Sequence, residues 1–567
     1  MRVQQSFNFK VAIPRSAYEY GERNSGEIHG VVLTKPHVVE LILDLIGYDE
    51  ERELWKYRLL EPSCGHGAFI TQAATRLLKS AARDDVSIGH LKNAIVAFDI
   101  DPSHVRKTKS DLVELLTDQN VSSADAEELA NTWVRRDDFL LSSFNRNGFD
   151  FVIGNPPYVR IENIADVLQA EYRSRFRSLY DRADLYVAFI EKGLQLLNPN
   201  GALSFVCSDR WTSNKYGKVL REIVTENFAV KAYIDLHQAS PFESDVIAYP
   251  SIFLIERSKQ TSVAVYKMKD ASPEECENVS KSILGTPKTD RGNKSLQRYT
   301  TWFRGEDPWV LNSPAHLEAL RLLEEKNVPI EADGKTHVSI GVATGADAVY
   351  ILDDKKDIEE DRLVPLVMRK DIENGKISDA GRYVINTFAP HGGVVNLGEY
   401  PRLRDYLTEH RDVIMKRHVA QKNPSSWFRT IDKIHVDLVR KPKLLIPDIA
   451  GANEVAIDDG KFYPHHNLYY VVSDAWDISV LGGLLSSRVA LFFIWSYATK
   501  MRGDYLRFQA QYLRRIRVPD PLSIPNRLAK QISHAFYNRD FAKLDALSIE
   551  AYGIDQLPEF DFVDTRR

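Results

Sequence analysis

At 567 residues the chain is too long for a single hydrophobic core, so two to four domains are expected. Its 44% hydrophobic and 27% charged residues are ordinary for a globular protein, and a formal net charge of −5 excludes an overall attraction to nucleic acid. Three widely spaced cysteines exclude a disulfide framework and a cysteine-based zinc site, and they suit a reducing cytoplasm. No apolar run approaches the ~20 residues that span a membrane, so no membrane segment is expected. No metal-binding residue is predicted.

The first predicted element is a helix that follows residues 31–33. Thr34 is expected as its N-cap, and Pro36 near the first turn costs no hydrogen bond. Residues further on, at 57–70, predict a strand, a turn of small residues and a second helix. Gly65 and Gly67 allow the backbone of that turn to approach a ligand closely, beside the free amides of the helix N-terminus. The Lys-Ser/Thr pair of a phosphate-binding loop is missing.

A second strand, residues 94–98, ends in Asp99. An acidic residue at the end of the second strand of a doubly wound sheet is placed to bind the two hydroxyls of a ribose. The glycine turn and this carboxylate together predict a cofactor that contains a nucleoside. Both NAD and S-adenosylmethionine satisfy this pattern.

The most specific pattern follows a third strand, residues 149–153. After Gly154 the chain continues with Asn155, Pro156, Pro157 and Tyr158. Each proline fixes its own φ and keeps the residue before it extended, so the carbonyl directions are set. Fixed oxygen acceptors beside a flat aromatic ring suit a planar molecule with an exocyclic amino group. A plain strand-ending turn is the alternative, but three successive strands here end in polar residues, at the edge where open α/β sheets bind ligands.

Strands and helices continue to alternate to about residue 258. A helical pattern at 184–197 is followed by strands at 202–207, 231–236 and 251–255. Residues 1–258 are therefore predicted to form one α/β domain with a doubly wound, Rossmann-like sheet.

The second half of the chain divides into three predicted parts. Residues 259–335 are a connecting segment, 336–519 a mixed α+β domain rich in basic and aromatic residues, and 520–567 a helical extension. Asp307 with residues 324–326 matches a nuclease D…ExK pattern, but the second group falls on a predicted helix rather than a strand. No fused endonuclease is therefore expected.

In their order, these signals resemble the γ class of N6-adenine-specific DNA methyltransferases of the Taq type. The matching motifs are Thr34-Lys35-Pro36, residues 61–69, Asp99, Asp138-Phe139 and residues 155–158. Lys35 departs from the family, which often has a second proline there. The resemblance covers most of the first 258 residues and, more loosely, 336–518, where the family has its carboxy-terminal target-recognition domain.

The resemblance implies S-adenosyl-L-methionine as the cofactor and a role for individual residues. Asp99 is expected to bind the ribose. Asp138 is expected to accept a hydrogen bond from the cofactor's adenine amino group, with Ile100 and Phe139 flanking the ring. Thr34 is expected to close the pocket. The turn expected to surround the methionine part contains Glu61, Pro62, Ser63, Gly65 and Gly67.

The resemblance also implies the chemistry of the loop. The Asn155 side-chain oxygen and the Pro156 carbonyl are expected to accept both hydrogens of an adenine amino group, which localises its lone pair and aims it at the methyl group. Tyr158 is expected to stack on the adenine, which must first be flipped out of the duplex. Phe242 is the candidate for the opposite face of the base, with Tyr249 as second choice.

Double-stranded DNA is the implied partner, and a local basic surface is expected to bind it. Between residues 401 and 443 lysine and arginine outnumber acids by about two to one, with aromatic residues interleaved. The residues expected to contact DNA or the flipped base are Pro157, Phe242, Arg369, Lys370, Arg402, Arg404, Lys500 and Arg502.

The leading hypothesis is a monomeric, cytoplasmic enzyme of a bacterium or archaeon that methylates adenine in duplex DNA. It would protect host DNA from a cognate restriction endonuclease, with no stable complex between the two. One alternative is an amino-group methyltransferase of RNA or of a protein glutamine, which the long second half disfavours. The other is a non-catalytic DNA-binding subunit with a decayed cofactor fold, which the intact 155–158 loop and Asp99 disfavour.

Overall fold

The computed structural model describes residues 32–144, 148–244, 249–285, 294–390, 392–450, 454–498 and 506–560. The chain divides into two units, Met1–Pro314 and Ala315–Arg567. Two units agree with the size at which a single hydrophobic core stops growing.

The first unit is built on one nine-stranded sheet. Its strands are β1 (Leu59–Glu61), β2 (Ile95–Asp99), β3 (Val134–Arg136), β4 (Phe149–Gly154), β5 (Leu197–Ser208), β6 (Ala229–Asp235), β7 (Pro250–Glu256), β8 (Val263–Lys267) and β9 (Leu296–Tyr299). Its helices are α1 (Pro36–Leu45), α2 (Ala68–Arg83), α3 (Pro102–Asp118), α4 (Ser123–Trp133), α5 (Asp166–Arg175), α6 (Tyr186–Gln195), α7 (Lys218–Asn227) and α8 (Pro273–Leu284).

The strand order of this sheet is β3-β2-β1-β4-β5-β7-β6-β8-β9. β1 to β5 run parallel, whereas β7 is antiparallel to its neighbours β5 and β6. The chain builds outward from β1 to β3 on one side and then crosses to β4 on the other, so the strand order reverses between β1 and β4. Open α/β sheets bind ligands outside the carboxyl ends of their strands at such a point.

Central strands of the sheet are buried on both faces. Leu59, Leu60, Val152 and Ile153 are fully inaccessible to solvent. Strands in this position form nearly continuous apolar runs because helices cover both faces of a parallel sheet, which is why the sequence shows them clearly. The predicted doubly wound α/β fold is confirmed.

Two details differ from the sequence-based expectation. The sheet continues past residue 258, because β8 pairs in parallel with β6 and β9 pairs antiparallel with β8. Part of the predicted connecting segment thus completes the sheet, where its buried backbone finds hydrogen-bond partners. The N-cap of α1 is Lys35, with no side-chain cap, because the Thr34 hydroxyl faces Asn155 instead. Pro36 does lie in the first turn.

The second unit is mixed α+β, as predicted. Its strands are β10 (Val328–Pro329), β11 (Thr336–Ile340), β12 (Ile351–Leu352), β13 (Leu363–Val367), β14 (Ile372–Glu373), β15 (Lys376–Ile377), β16 (Tyr383–Ile385), β17 (Lys443–Pro447), β18 (Ile449–Ala450), β19 (Ala456–Asp458), β20 (Tyr463–Pro464), β21 (Leu468–Ser473), β22 (Leu506–Arg507) and β23 (Arg517–Val518). Its helices are α9 (Pro314–Lys326), α10 (Asp347–Tyr350), α11 (Pro401–Glu409), α12 (Arg411–Met415), α13 (His418–Lys422), α14 (Ile478–Leu485), α15 (Arg488–Tyr497), α16 (Ala510–Leu513), α17 (Asn526–Tyr537) and α18 (Phe541–Tyr552).

Two four-stranded sheets form the centre of this unit. One has the order β11-β21-β17-β19 and the other β12-β16-β13-β20. The chain crosses from the first sheet to the second between β11 and β12, and from the second to the first between β20 and β21. The chain also crosses from the second sheet to the first between β16 and β17, and from the first to the second between β19 and β20, so four segments join these two sheets.

The last two helices pack against α14. A Cβ atom on Gly482 would lie 2.8 Å from the Phe536 ring, and one on Gly483 would lie 2.5 Å from Ile532. Both distances are below any ordinary contact, so the approach of α14 and α17 requires glycine at these positions.

Within the described residues, no single helix is both long enough and apolar enough to cross a membrane. α14 and α15 satisfy the criteria of length and composition only as a pair, and they meet at a bend of 57°. Most of their side chains are buried inside the second unit.

Candidate active site

A cavity of about 540 Å³ opens at the carboxyl ends of β1, β2 and β4. Small-molecule sites commonly measure ~300–1,000 Å³. Nine of the ten residues predicted to bind the cofactor line it, together with Asn155 and Pro157 of the loop. The nine are Thr34, Glu61, Pro62, Ser63, Gly65, Asp99, Ile100, Asp138 and Phe139.

Gly67, the tenth predicted residue, shapes the turn and does not line the cavity. Its φ of 88° lies in the left-handed region that favours glycine. A Cβ atom there would also lie 3.0 Å from Cγ2 of Thr108. Glycine at this position lets α2 begin directly after the turn, at Ala68.

Glu61 presents an unusual carboxyl group to the cavity. Its side chain is 1% exposed, and neither carboxyl oxygen has a hydrogen-bond partner among the described residues. Burial, and secondarily the nearby charge of Asp99, raise the pKa of Glu61 well above its ordinary value, and the Ile70 amide in the first turn of α2 opposes this rise to a smaller extent. A buried carboxyl group without partners is costly unless a bound ligand supplies a donor or a positive charge.

Asp99 is held from several directions. One carboxyl oxygen accepts from the Gly65 amide at 2.9 Å, and the other accepts from the Asp101 amide at 2.8 Å. The His104 Nδ1 atom lies 3.2 Å from that second oxygen, and this hydrogen bond raises the pKa of His104. These bonds fix Asp99 at the cavity wall; His104, which the sequence reasoning missed, also lines the cavity.

Asp138 is fixed in the same way. It accepts from the Leu140 amide at 2.8 Å and from the Tyr172 hydroxyl at 2.7 Å, and burial raises its pKa. The adjacent loop rests on the buried ammonium group of Lys192, which donates to the carbonyls of Phe139, of Leu140 at 3.2 Å and of residue 142 at 2.7 Å. Burial lowers the pKa of Lys192 to about 8.

Tyr172 and Lys192 were both missed by the sequence reasoning. Tyr172 gives no local signal, because only the fold brings it to Asp138, 34 residues away. Lys192 does give one: it stands within the apolar residues of α6, and every residue of that helix from Tyr186 to Leu194 is buried. A lysine there must bond to something inside the protein.

The Asn155 amide has a defined orientation. Its Nδ2 atom donates to the Val32 carbonyl at 2.9 Å and to the Thr34 hydroxyl at 3.3 Å. Its Oδ1 atom is buried and has no hydrogen-bond partner among the described residues. The Ser63 hydroxyl donates to the Asn155 main-chain carbonyl at 3.1 Å, which ties the loop to the turn after β1. Asn155 therefore offers an unused acceptor.

Tyr158 lies among aromatic side chains. Its ring centre is 6.2 Å from that of Phe242, with an angle of 81° between the rings, and 6.3 Å from that of Tyr186. Phe242 is only 3% exposed and its backbone pairs with that of Thr34. A base stacked on Tyr158 would thus meet the Phe242 ring edge-on in this arrangement, not face to face. Tyr249, the second choice, is 47% exposed and stacks against Arg210.

Two family models match this chain. The Eco57I restriction-modification methylase matches residues 70–242, and the TaqI-like C-terminal specificity domain matches residues 405–518. The Type II methyltransferase M.BstVI of Geobacillus stearothermophilus is 44% identical over 548 residues, which are 94% of this chain and 98% of that protein. This chain belongs to the Type II methyltransferases of restriction-modification systems. The predicted family resemblance is confirmed.

Another relative and a solved structure agree with this family. The Type II methyltransferase M.PaeR7I of Pseudomonas aeruginosa is 42% identical, over 93% of this chain and 92% of that protein. The structure of the Type IIL restriction-modification enzyme MmeI in complex with DNA has a TM-score of 0.56 and covers 92% of this chain and 74% of that one. At 12% sequence identity, this likeness supports the fold alone.

The cofactor of this methyltransferase is S-adenosyl-L-methionine, as predicted. The cavity suits it, because the unpartnered carboxyl group of Glu61 matches a ligand with a positively charged ammonium group. Asp99, Asp138 and Phe139 also line the cavity, and an acidic residue at the end of a second strand suits the hydroxyls of a ribose. Their individual contacts with the cofactor stay predictions.

The residues predicted to bind DNA in the second unit are mostly paired with acids. Arg369 lies 2.7 Å from Glu454, Arg402 2.9 Å from Asp357, and Arg404 2.9 Å from its neighbour Asp405. Exposed ion pairs of this kind contribute only ~0–1 kcal/mol, so phosphates can compete for these side chains. Lys370 is exposed. Lys500 and Arg502 lie outside the described residues.

Proposed function

We propose that this methyltransferase transfers a methyl group from S-adenosyl-L-methionine to the exocyclic amino group of adenine, at specific sites in duplex DNA. The observation that supports this most is the orientation of Asn155. Two protein acceptors hold its Nδ2 atom, so its Oδ1 atom remains a buried acceptor without a partner among the described residues. Leaving a buried acceptor unpaired costs about 1–3 kcal/mol, which a substrate N–H would recover.

The proposed reaction needs orientation more than it needs a base. The nitrogen of an adenine amino group is a weak nucleophile, because its lone pair is delocalised into the ring. The Asn155 Oδ1 atom and the Pro156 carbonyl would accept its two hydrogens and so localise the lone pair on the nitrogen. The proton is lost only after transfer, from a cationic product, so no strong base is required.

Residues of the cavity hold the reactants in this proposal. Glu61 binds the ammonium group of the cofactor, Asp99 its ribose, and Asp138 its adenine amino group, with Ile100 and Phe139 against the ring. The bound cofactor supplies the electrophilic methyl group. Thr34 acts on the substrate side by holding Asn155 in place, a contact that the hydrogen bond at 3.3 Å supports.

The target base has to leave the duplex in this proposal, because an amino group inside the base stack cannot reach a cavity wall. Tyr158 would stack on the flipped base. Phe242 would face the base only after a ring rotation, since the rings of Tyr158 and Phe242 now meet at 81°. The match of residues 405–518 to a specificity domain supports target recognition by the second unit.

The wider biological setting also remains a proposal. The restriction-modification relatives support a role in protecting DNA from a cognate endonuclease. Action as a monomer, without a stable complex with that endonuclease, and a cytoplasmic location stay predictions. The domain limits 1–258, 259–335, 336–519 and 520–567 likewise stay predictions as functional divisions.

A transfer assay tests the proposal. The protein is incubated with methyl-labelled cofactor and unmethylated duplex DNA, and in parallel with RNA and with a glutamine-containing protein acceptor. The label should appear in N6-methyladenine, and Asn155→Ala should lower the rate by roughly 10²-fold or more, because it removes the aligned acceptor. The exposed Asn163→Ala serves as the matched control. Label in cytosine, RNA or protein instead of adenine would contradict the proposal.

A further inference from the structure

Three side chains of metal-binding type converge in the second unit, and none of them lines the cofactor cavity. They are Asp347, at the start of α10, and His465 and His466, between β20 and β21. One ligand atom from each lies within 4.8 Å of the others. Asp347 and His465 are 118 residues apart, so the fold and not a local motif brings them together.

The contacts of these side chains resemble those around a bound cation. The His465 Nε2 atom lies 3.0 Å from one carboxylate oxygen of Asp347, and the Thr344 hydroxyl donates to the other oxygen. Protein metal ligands are commonly oriented by such an outer hydrogen bond. His465 is 3% exposed, yet its Nδ1 atom has no hydrogen-bond partner among the described residues. A buried imidazole with spare nitrogen capacity is unusual unless something else binds there.

Both histidine rings lie together because of the backbone around them. Their centres are 4.0 Å apart, although consecutive residues of a strand point to opposite faces. β20 ends at Pro464, and the chain turns at His466. The Val342 amide donates to the Pro464 carbonyl at 2.9 Å, and the His466 amide donates to the Val342 carbonyl at 3.0 Å. These bonds hold the turn against the segment that leads to Asp347.

We propose that Asp347, His465 and His466 bind one divalent cation of the Zn²⁺ type, through two imidazole nitrogens and one carboxylate oxygen. Imidazole suits zinc and the late transition metals, whereas Mg²⁺ and Ca²⁺ prefer oxygen ligands. Three protein ligands leave one tetrahedral position for water. Metal–ligand bonds of this kind are ~2.0–2.2 Å long. The side chains of Asp347 and His466, which are half-exposed and exposed, would therefore move towards the cation when it binds.

The position of the site defines what the cation does. Asp347 lies on the crossing from β11 to β12, and the two histidines lie on the crossing from β20 to β21. Both crossings join the same pair of four-stranded sheets. A cation at this point cross-links the two sheets and stabilises the second unit, because it binds the folded arrangement and not the unfolded chain.

Metal titration of the full chain tests the site. Protein stripped with a chelator is titrated with Zn²⁺ by calorimetry, and its thermal unfolding is measured with Zn²⁺ or Mg²⁺. We expect one Zn²⁺ per chain with a raised unfolding temperature, and no effect of Mg²⁺. His466→Ala, which removes an exposed ring, should weaken binding at least tenfold, and Asp347→Asn should do the same while preserving side-chain shape. All three cysteines are buried and do not compete.

A matched control separates this site from ordinary surface histidines. His418 is exposed, in α13 of the same unit. His418→Ala should bind Zn²⁺ like the wild type. Absence of binding at tens of micromolar Zn²⁺, or equal binding by the wild type, His466→Ala and Asp347→Asn, would overturn the proposal. Neither result depends on methyl transfer.

Discussion

Asn155 and Thr34, 121 residues apart in the chain, are joined by a hydrogen bond of 3.3 Å from the Asn155 amide to the Thr34 hydroxyl. Thr34 is buried, at 3% exposure, and its backbone pairs with that of Phe242. Thr34 does not cap α1 as expected; its hydroxyl instead orients the loop asparagine. This hydrogen bond joins the segment before α1 to the end of β4.

Replacement of Thr34 tests this orienting role. Thr34→Val keeps the shape and removes the acceptor, so Asn155 retains only its bond to the Val32 carbonyl. Loss of about 1 kcal/mol of hydrogen bonding should lower the single-turnover rate roughly fivefold. Thr34→Ser keeps the hydroxyl and should stay near the wild-type rate. Equal rates for the valine and serine variants would contradict the role.

Glu61→Gln is expected to separate cofactor binding from stability. Removing the unpartnered buried acid should raise the thermal stability of the cofactor-free protein, because the glutamine side chain carries no charge to bury. Affinity for S-adenosyl-L-methionine should fall by roughly 10- to 100-fold, since the attraction to an ammonium group is lost. Calorimetry and thermal unfolding measure both changes, with the exposed Glu114→Gln as control.

The pH dependence of the same variant follows from the raised pKa of Glu61. The folded carboxyl group holds its proton more strongly than the unfolded one. The stability that this protonated group contributes to the folded protein is therefore fully present below the pKa of the unfolded chain, which is ~4.3. That stability is lost as the pH rises through the pKa of the folded protein. The stability difference between wild type and Glu61→Gln should grow across that window; a constant difference would place the carboxyl group in a polar environment.

Lys192 should make cofactor binding sensitive to mildly alkaline pH. Its pKa is lowered to about 8, and loss of its proton leaves two N–H donors for three loop carbonyls. The KM for S-adenosyl-L-methionine should therefore rise above about pH 8 in the wild type. Lys192→Met should show a KM raised roughly tenfold at neutral pH, with this dependence abolished.

The stability of the protein provides the control for Lys192. An unfolded lysine keeps its proton to pH ~10.4, so between the folded and unfolded pKa values the unfolded chain binds more protons. The contribution of this group to the free energy of unfolding then rises with pH. If cofactor binding weakens between the folded and unfolded pKa values of Lys192, unfolding driven by the loss of its proton is therefore not the cause. A parallel fall in unfolding temperature that Lys192→Met abolishes would contradict this account.

The arginines of α11 and α12 are expected to bind DNA phosphates. Replacing Arg402, Arg404 and Arg411 together by alanine should make DNA binding less dependent on salt. In a plot of the logarithm of the binding constant against the logarithm of the salt concentration, the slope should become less negative by about 0.9 for each phosphate that the variant no longer neutralises. Arg83, an ion-paired arginine on the surface of the first unit, provides the control as Arg83→Ala. An unchanged slope in the triple variant would assign the phosphate-binding surface to other residues.

Short-range patterns of this chain were predictable, and long-range contacts were not. The turn at 61–67 and the loop at 155–158 consist of neighbouring residues whose backbone limits are local, so their positions at the cavity could be expected from sequence. Lys192 under the 139–142 loop depends on the packing of α6 against that loop. Asp347 and His465 meet only because two crossings between sheets coincide.

The basic surface was only partly predictable from sequence. A count of charges between 401 and 443 omits the acids of other segments, and Asp357 comes from such a segment to pair with Arg402. The sequence predicts only a connecting segment past residue 258, because two short strands separated by a helix give little periodic signal. Their pairing with β6 depends on a neighbour outside the segment.

Gly482 and Gly483 have a consequence for recombination between relatives. Side chains of α17 occupy the space that any residue larger than glycine would need at these two positions of α14. Recombination between relatives should therefore take α14 and α17 from the same parent. A chimera that joins a new segment at residue 519 would keep α14 from one parent and take α17 from the other. Exchange cassettes for the second unit should therefore extend through α18, with their carboxyl boundary beyond Tyr552.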